Sequence, residues 1–331
     1  MKPPPGEFEL IERLCAGLRL SRRTLIGPGD DCAVIRRPRG AQLFTIDSMV
    51  EGVHFKLAWG TPQQLGYRAL AVNLSDVAAM GGAPSACVVN LAVRPGLTAA
   101  FFDRLYAGLN DAAVRAKVDV VGGNITSADQ LAITIALLGD VGPATLRRGR
   151  ARPDDEIFVT GTVGDAAVGV RILDGKVAAR GAARKFLINR FLEPTARLTA
   201  GRKLARLRPA PAAIDISDGL CQDLGHILER SGVGAEIDVE AIPLSLAYRA
   251  AIGGDPELAL NGGEDYELLF CLKPGHSEAR LARYLGVSVR RIGRILPSAH
   301  GLTLRDRAGI SRPLVRAAGW NHLRARGGGV K

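Results

Sequence analysis

Leu43-Phe44-Thr45-Ile46 reads as an apolar, β-branched strand, and the residue that follows it is Asp47. The same join recurs at Ala212-Ala213-Ile214-Asp215, with Asp218 three residues on. It appears in reverse order where Asp30-Asp31 precede Cys32-Ala33-Val34-Ile35. An unpaired charge beside a core is expensive, so this pattern constrains what the chain can fold into. Each acid must cap a helix, close a turn, or share a cation with other acids. Taken singly, each reads as an N-cap or turn residue, and Asp218 as the cap of a helix starting at Gly219. Asp76, on a helical stretch in "NLSDVAAMGG", belongs to the same set. Gathered in one cleft the acids would repel each other without a hard cation, and Mg²⁺ takes carboxylate oxygens together with phosphates and water. Spacing leaves both readings open.

The periodicity around these acids changes character along the chain. Phe8, Ile11, Leu14 and Leu18 are helically spaced, and strand-like runs follow near 31–36 and 42–47. Leu65, Leu70, Leu74 and Val77 predict a helix from Pro62 to Met80, closed by Gly81-Gly82. Residues 85–93 and 131–141 read as buried strands flanking a helix near 98–117, and "VDVVGG" (118–123) as a short strand running into glycines. Near 150 the segment "RRGRARPDDE" breaks all periodicity, and "EIFVTGTVGD" then opens a new strand–turn–helix unit. The expected organisation is therefore two domains, one over 1–150 and a second over 151–331. Strands and helices mix without regular alternation, which predicts α+β, with mixed β-sheets packed with helices.

Hydrophobic residues at 47% support two packed domains, and no apolar run approaches the roughly 20 residues of a membrane span. "MKPPPGEFEL" lacks a signal-peptide core, so the expected location is cytoplasmic, with no membrane partner. Five scattered cysteines without a C-x-x-C pair read as reduced, packed thiols. The net charge of +11 comes mostly from arginine, clustered at 36–39, 146–152 and 289–294. No aromatic interleaving accompanies those clusters, so nucleic acid is not the expected partner. Solvated surface, or attraction for a polyanionic small molecule, is.

A P-loop is absent, because Gly175-Lys176 is followed by Val and lacks the upstream glycine. "GTVGDAAVG" (161–169) is a glycine-spaced turn into a helix whose N-terminus could receive phosphate. "GDDCAVI", "DSMVEGVHF", "ALAVNLSDVAAMGG", "VGGNIT", "FVTGTVGD", "IDISDGLCQDLGHI" and "NGGEDYELLF" follow one another in this order. Together they resemble thiamine-monophosphate kinase, a member of the aminoimidazole ribonucleotide synthetase-like ATP-binding superfamily, over about residues 6–323. The resemblance implies that superfamily's fold and ATP-dependent phosphorylation of thiamine monophosphate to thiamine diphosphate, by a homodimer joined through the first domains.

It also implies residue roles. Asp31, Asp47, Asp76 and Asp215 would be the main magnesium ligands, with Asp218 on a further ion. Thr45 and Ile46 would lend oxygens, Ile46 only its carbonyl. Gly123 and Asn124 would meet ATP and one magnesium, Arg148 an ATP phosphate, and Ser217 the nucleotide. His54, Glu264 and Trp320 would hold thiamine phosphate. A monovalent cation is a further candidate. Position 124 departs from the family's usual Asp, and an amide brings no charge to a metal. No general base is expected, since a phosphate oxygen is already anionic near neutral pH. The rival readings are another ATP-dependent enzyme of the superfamily and a non-catalytic nucleotide or thiamine-phosphate binder.

Overall fold

The computed structural model describes residues 13–26, 34–36 and 41–314. They form two compact units, one running to Val77 and including Ala83–Val141, the other comprising Ala78–Gly82 and the chain from Gly142. The expected α+β class is what is observed, with mixed sheets in both units.

In the first unit β1 (Thr24–Ile26) and β2 (Val34–Ile35) form a small antiparallel pair. β3 (Gln42–Val50), α1 (Pro62–Ala79), β4 (Ala83–Val93), α2 (Ala99–Ala116), β5 (Asp119–Ser127) and β6 (Ala132–Asp140) follow. The sheet order is β3-β6-β4-β5. Only β4 and β5 are parallel, and α2 is the crossover such a pair requires. Thr98 starts α2 by accepting the Phe101 N–H, and Lys117 ends it in the left-handed region. Strict alternation along β6 buries Ile133, Ile135 and Leu137 on one face.

Two local expectations are corrected. β3 does not end at Asp47 but pairs with β6 through to Val50, so the acid stands within a strand, at the end of the sheet order among the described residues. The strand through "VDVVGG" does not stop at its glycines but continues to Ser127. At Gly123 a Cβ would lie 2.1 Å from the Val89 carbonyl oxygen, so the glycine is what lets the two strands approach.

The second unit holds β7 (Glu156–Thr160), α3 (Asp165–Leu173), α4 (Gly181–Leu192), α5 (Leu198–Leu204), β8 (Ala212–Asp215) and α6 (Leu220–Ser231). It continues with β9 (Val233–Asp238), α7 (Leu246–Ile252), α8 (Glu257–Asn261), β10 (Leu268–Leu272), α9 (Glu278–Leu285), β11 (Val289–Pro297), β12 (Leu302–Arg305) and β13 (Ser311–Pro313). Its sheet runs β13-β12-β9-β11-β7-β10-β8, antiparallel except between β12 and β9. Phe158 and Phe270 stack at 5.6 Å in its core, against Leu204, Leu281 and Leu285. Cys87, Cys221 and Cys271 are buried free thiols, and burial pushes Cys87 and Cys221 up to about 12.

Candidate active site

On β3, Thr45 and Asp47 share a face, being two residues apart on a pleated strand. Their cross-strand neighbours, Leu137 and Ile135, are buried, so this is the helix-covered face. Asp76 on α1 meets it: the Thr45 hydroxyl donates to Asp76 Oδ2 at 2.5 Å. Asp47 stands one pleat repeat further along that face, about 7 Å away. Thr45, Asp47 and Asp76 are thus brought to one edge of the sheet. Ile46 points to the other face, 62% exposed.

Gly123 and Asn124 lie on β5, at the opposite edge. Asn124 pairs in register with Asn90 and donates to its Oδ1 at 2.9 Å. Through the register it shares the face of Ile46 and Ser48, not that of Asp47. Three strand spacings, about 14 Å, separate β5 from β3. The first unit therefore does not bring Asn124 to the Asp47–Asp76 pair.

His54 sits in the turn after β3, where its Nδ1 accepts the Val50 N–H at 3.0 Å. A neutral ring so held carries its proton on Nε2. Arg68, buried in α1, donates to the His54 carbonyl at 2.9 Å and holds the turn to the helix. The sequence reading missed Arg68; its signal was a lone arginine on the apolar side of "LGYRALAVNL".

In the second unit β8 ends in Asp215, buried at the start of the loop Ile216–Gly219. The segment 264–267 lies against this loop: Glu264 N–H donates to Ser217 O at 2.8 Å, Tyr266 N–H to Ile216 O at 2.9 Å, and Ile216 N–H to Glu267 O at 2.9 Å. Asp215, Ser217, Asp218 and Glu264 are thereby gathered in one place. Glu264 and Tyr266 both adopt positive φ, +73° and +52°, a strain expected where a functional geometry is enforced. The Tyr266 hydroxyl donates to Glu264 Oε2 at 2.7 Å.

The expected cap at Asp218 is not made. Gly219 is the N-cap of α6 and no side chain caps it. Asp223, one turn into the helix, accepts the N–H groups of Ser217, Asp218 and Gly219 on a single oxygen, at 3.0, 3.0 and 3.1 Å. Burial first, then the charge of Asp215, pushes its carboxyl up to about 8, against those donors. The helix N-terminus behind "GTVGD" is also filled. Asp265 accepts Gly164 N–H at 2.6 Å, closing the position offered to phosphate. Glu267, fully buried, takes Arg197 on both oxygens, Arg190 at 2.9 Å and the Thr160 hydroxyl at 2.6 Å. Asp223, Asp265 and Glu267 were not singled out from sequence. The available signal was acids recurring beside apolar residues within "SDGLCQD" and "GGEDYEL".

Arg148 is exposed, and its carbonyl accepts the Ser231 hydroxyl at 2.9 Å, at the far end of α6 from Ser217. A 12-residue helix is about 18 Å long, so the second unit does not bring Arg148 to Ser217. Asp31 and Trp320 lie outside the described residues.

Residues 29–141 match the family described as AIR synthase related protein, N-terminal domain, and residues 152–304 its C-terminal domain. A thiamine-monophosphate kinase of Salmonella typhimurium is 40% identical over 316 residues, covering 91% of this chain and 94% of that protein. The chain belongs to the thiamine-monophosphate kinase family. The crystal structure of such a kinase from Stenotrophomonas maltophilia K279a superposes with a TM-score of 0.79 at 36% identity, covering 90% of this chain and 96% of that one. AaThiL complexed with AMPPCP and TMP superposes with a TM-score of 0.75 at 33% identity, covering 96% and 97%.

In a member of this kinase family the residues' fit to magnesium can be asked of the donors themselves. Thr45, Asp47, Asp76, Asp215 and Asp218 offer only oxygen, the donor of a hard cation. Among the described residues no three acids, histidines or cysteines converge closely enough to hold an ion unaided. Mg²⁺ takes such oxygen donors, binding through one or two carboxylates plus phosphate oxygens and waters. The residues fit.

Proposed function

We propose that this chain transfers the terminal phosphoryl group of ATP to thiamine monophosphate, giving thiamine diphosphate and ADP. The observation that carries this reading is 40% identity to a thiamine-monophosphate kinase across 91% of the chain. Asp31, Thr45, the Ile46 carbonyl, Asp47, Asp76, Asn124, Asp215 and Asp218 would hold magnesium. Bound there, magnesium would neutralise the charge of two phosphate chains that must approach each other. A monovalent cation is a further proposed occupant.

Gly123, Asn124, Arg148 and Ser217 are assigned to the nucleotide, and His54, Glu264 and Trp320 to thiamine phosphate. The attacking phosphate oxygen needs no base, so the chain's task is positioning and charge stabilisation for in-line transfer. His54, with Nδ1 occupied by Val50, presents Nε2–H as a donor suited to a phosphate oxygen. We assign metal and ATP binding and dimer contact to residues 1–150, and completion of the site to 151–331.

A homodimer is supported by the uncovered face of the first sheet, where Phe44 is 71%, Ile46 62% and Val88 42% exposed. In register they lie beside Leu138 and Ala136, forming one apolar patch bordered by the polar row Ser48, Thr134, Asn90 and Asn124. Exposed patches of this kind mark association sites. Asn124, absent from the Asp47 side within one chain, borders that patch. A cytoplasmic location is proposed from the requirement for ATP; no described helix is long and apolar enough to cross a membrane.

The test is ADP release by the purified chain with ATP and magnesium, against a panel of phosphorylated acceptors. Release that depends on thiamine monophosphate is expected. Equal release without it, or preference for another acceptor, would refute the reading.

A further inference from the structure

We propose that Asp223 is the positioning residue of the nucleotide loop, holding Ser217–Gly219 so that the loop meets its ligand through side chains and not through backbone amides. The proposal rests on the assignment of Ser217 and Asp218 to nucleotide and metal. Three consecutive N–H groups converging on one point form an anion-binding nest, the arrangement that phosphate-binding loops offer to a ligand. Here the acceptor is internal, a side-chain carboxyl oxygen of the chain itself. Asp223 Oδ2 receives all three N–H groups within 3.1 Å, and the carboxylate is only 2% exposed. Its own backbone N–H donates to Gly219 O at 2.9 Å, which fixes the residue's backbone in the first turn of α6. Gly219 takes φ +118° to bring the loop over the carboxylate, a conformation that L side chains rarely adopt.

The geometry has a chemical consequence. With the amides turned inward, what Ser217 and Asp218 can present outward is a hydroxyl and a carboxylate. A nucleotide phosphate is anionic and cannot approach Asp218 without a cation between them. The loop is therefore built to receive a metal–nucleotide complex, not free phosphate. Asp265 plugs the α3 N-terminus in the same way, with Gly164 and Ala166 as donors at 2.6 and 3.4 Å. The α3 N-terminus offered to phosphate by "GTVGD" and the start of α6 are thus both occupied by side chains of the chain itself.

The test compares Asp223→Ala and Asp223→Asn with the unaltered chain by calorimetric titration of AMPPCP in magnesium, AMPPCP in EDTA, and thiamine monophosphate. The unaltered chain should bind AMPPCP in magnesium and at least about 10-fold more weakly in EDTA. Asp223→Ala should lose about 10- to 100-fold in affinity for magnesium–AMPPCP, the cost of a loop displaced by about 1 Å. Its affinity for thiamine monophosphate should stay within about 3-fold, because uniform binding of one ligand is what is lost. Asp223→Asn retains an acceptor oxygen and should recover most of the loss.

If Asp223→Ala does not fold, Asp223→Asn carries the test, with a loss of about 3- to 10-fold for magnesium–AMPPCP alone. Unchanged nucleotide affinity in the folded variants with a lowered melting temperature would make Asp223 a plain cap and overturn the proposal. Equal weakening of both ligands, or AMPPCP binding indifferent to magnesium, would overturn it too. Magnesium-dependent AMPPCP binding without thiamine-dependent ADP release would leave this inference standing and remove the proposed kinase reaction.

Discussion

Gly263 lies where the "NGGED" segment passes under the Ser217–Gly219 loop, and replacing it with alanine tests whether that contact sets the proposed site. A Cβ at 263 would stand 2.3 Å from the Ser217 carbonyl oxygen and 3.2 Å from Asp218 Cα. All its near neighbours are backbone, so no flexible side chain can yield. The loop must move by about 1 Å to restore an ordinary C···O contact, at the cost of an overpacked core, about 1–3 kcal/mol. The displacement also breaks the Glu264 N–H bond to that same oxygen, worth about 0.5–1.5 kcal/mol. Together Gly263→Ala should destabilise by about 2–4 kcal/mol. At roughly 2–4 °C per kcal/mol for a unit of this size, its Tm should fall by about 4–16 °C. The Ser217–Asp218 loop moves with it, so kcat/KM for ATP should fall by about 10- to 100-fold below the melting range. Gly225→Ala is the control. It lies within α6 with nothing within 4 Å of a built Cβ, and alanine in a helix is favoured over glycine by about 0.5–1 kcal/mol. That variant should melt slightly higher and turn over normally. Calorimetry and steady-state kinetics on the pair decide the matter. A Gly263→Ala chain with unaltered Tm and kcat/KM would refute the reasoning.

Asp47→Asn should lower turnover by at least about 100-fold, the loss of a major charge stabiliser, while its exposure on an edge strand leaves Tm unchanged; Asp76→Asn should match it, and near-normal turnover at saturating magnesium would sink both assignments. Asn124→Asp should reduce the magnesium needed for half-maximal rate, which a magnesium titration at fixed ATP reads directly; an equal or higher requirement would show that the amide does not limit occupancy. Glu267→Ala removes the buried carboxylate that Arg197 and Arg190 share, leaving Arg190 with Asp165 at 3.9 Å, and should cost about 3–5 kcal/mol. Denaturant melts would expose that loss, and a ΔΔG below about 1 kcal/mol would mean the network is hydrated in place.

The α1 helix, the buried strands β4 and β6 and the mixed α+β class were legible in the residues, because side-chain period is local chemistry. Leu65, Leu70, Leu74 and Val77 repeat at helical spacing whatever lies opposite them. The acids at 47, 76, 215 and 218 were legible for a related reason: charge beside an apolar run is costly anywhere, and so announces a partner. What those acids meet was not legible. Thr45 reaches Asp76 across 31 residues, and the Asn124 edge is separated from Asp47 by strand order, which periodicity does not encode. Asp223 and Asp265 look like any helical or loop acid until the backbone N–H groups they receive are placed around them. Those donors come from a loop 4 to 6 residues upstream in one case and from about 100 residues away in the other. Composition and period determine which segments are strand, helix or charged joint. Convergence of distant backbone on one carboxyl group exists only once the sheets are assembled, and it is there that the helix N-terminus behind "GTVGD" turns from an open phosphate site into a closed one.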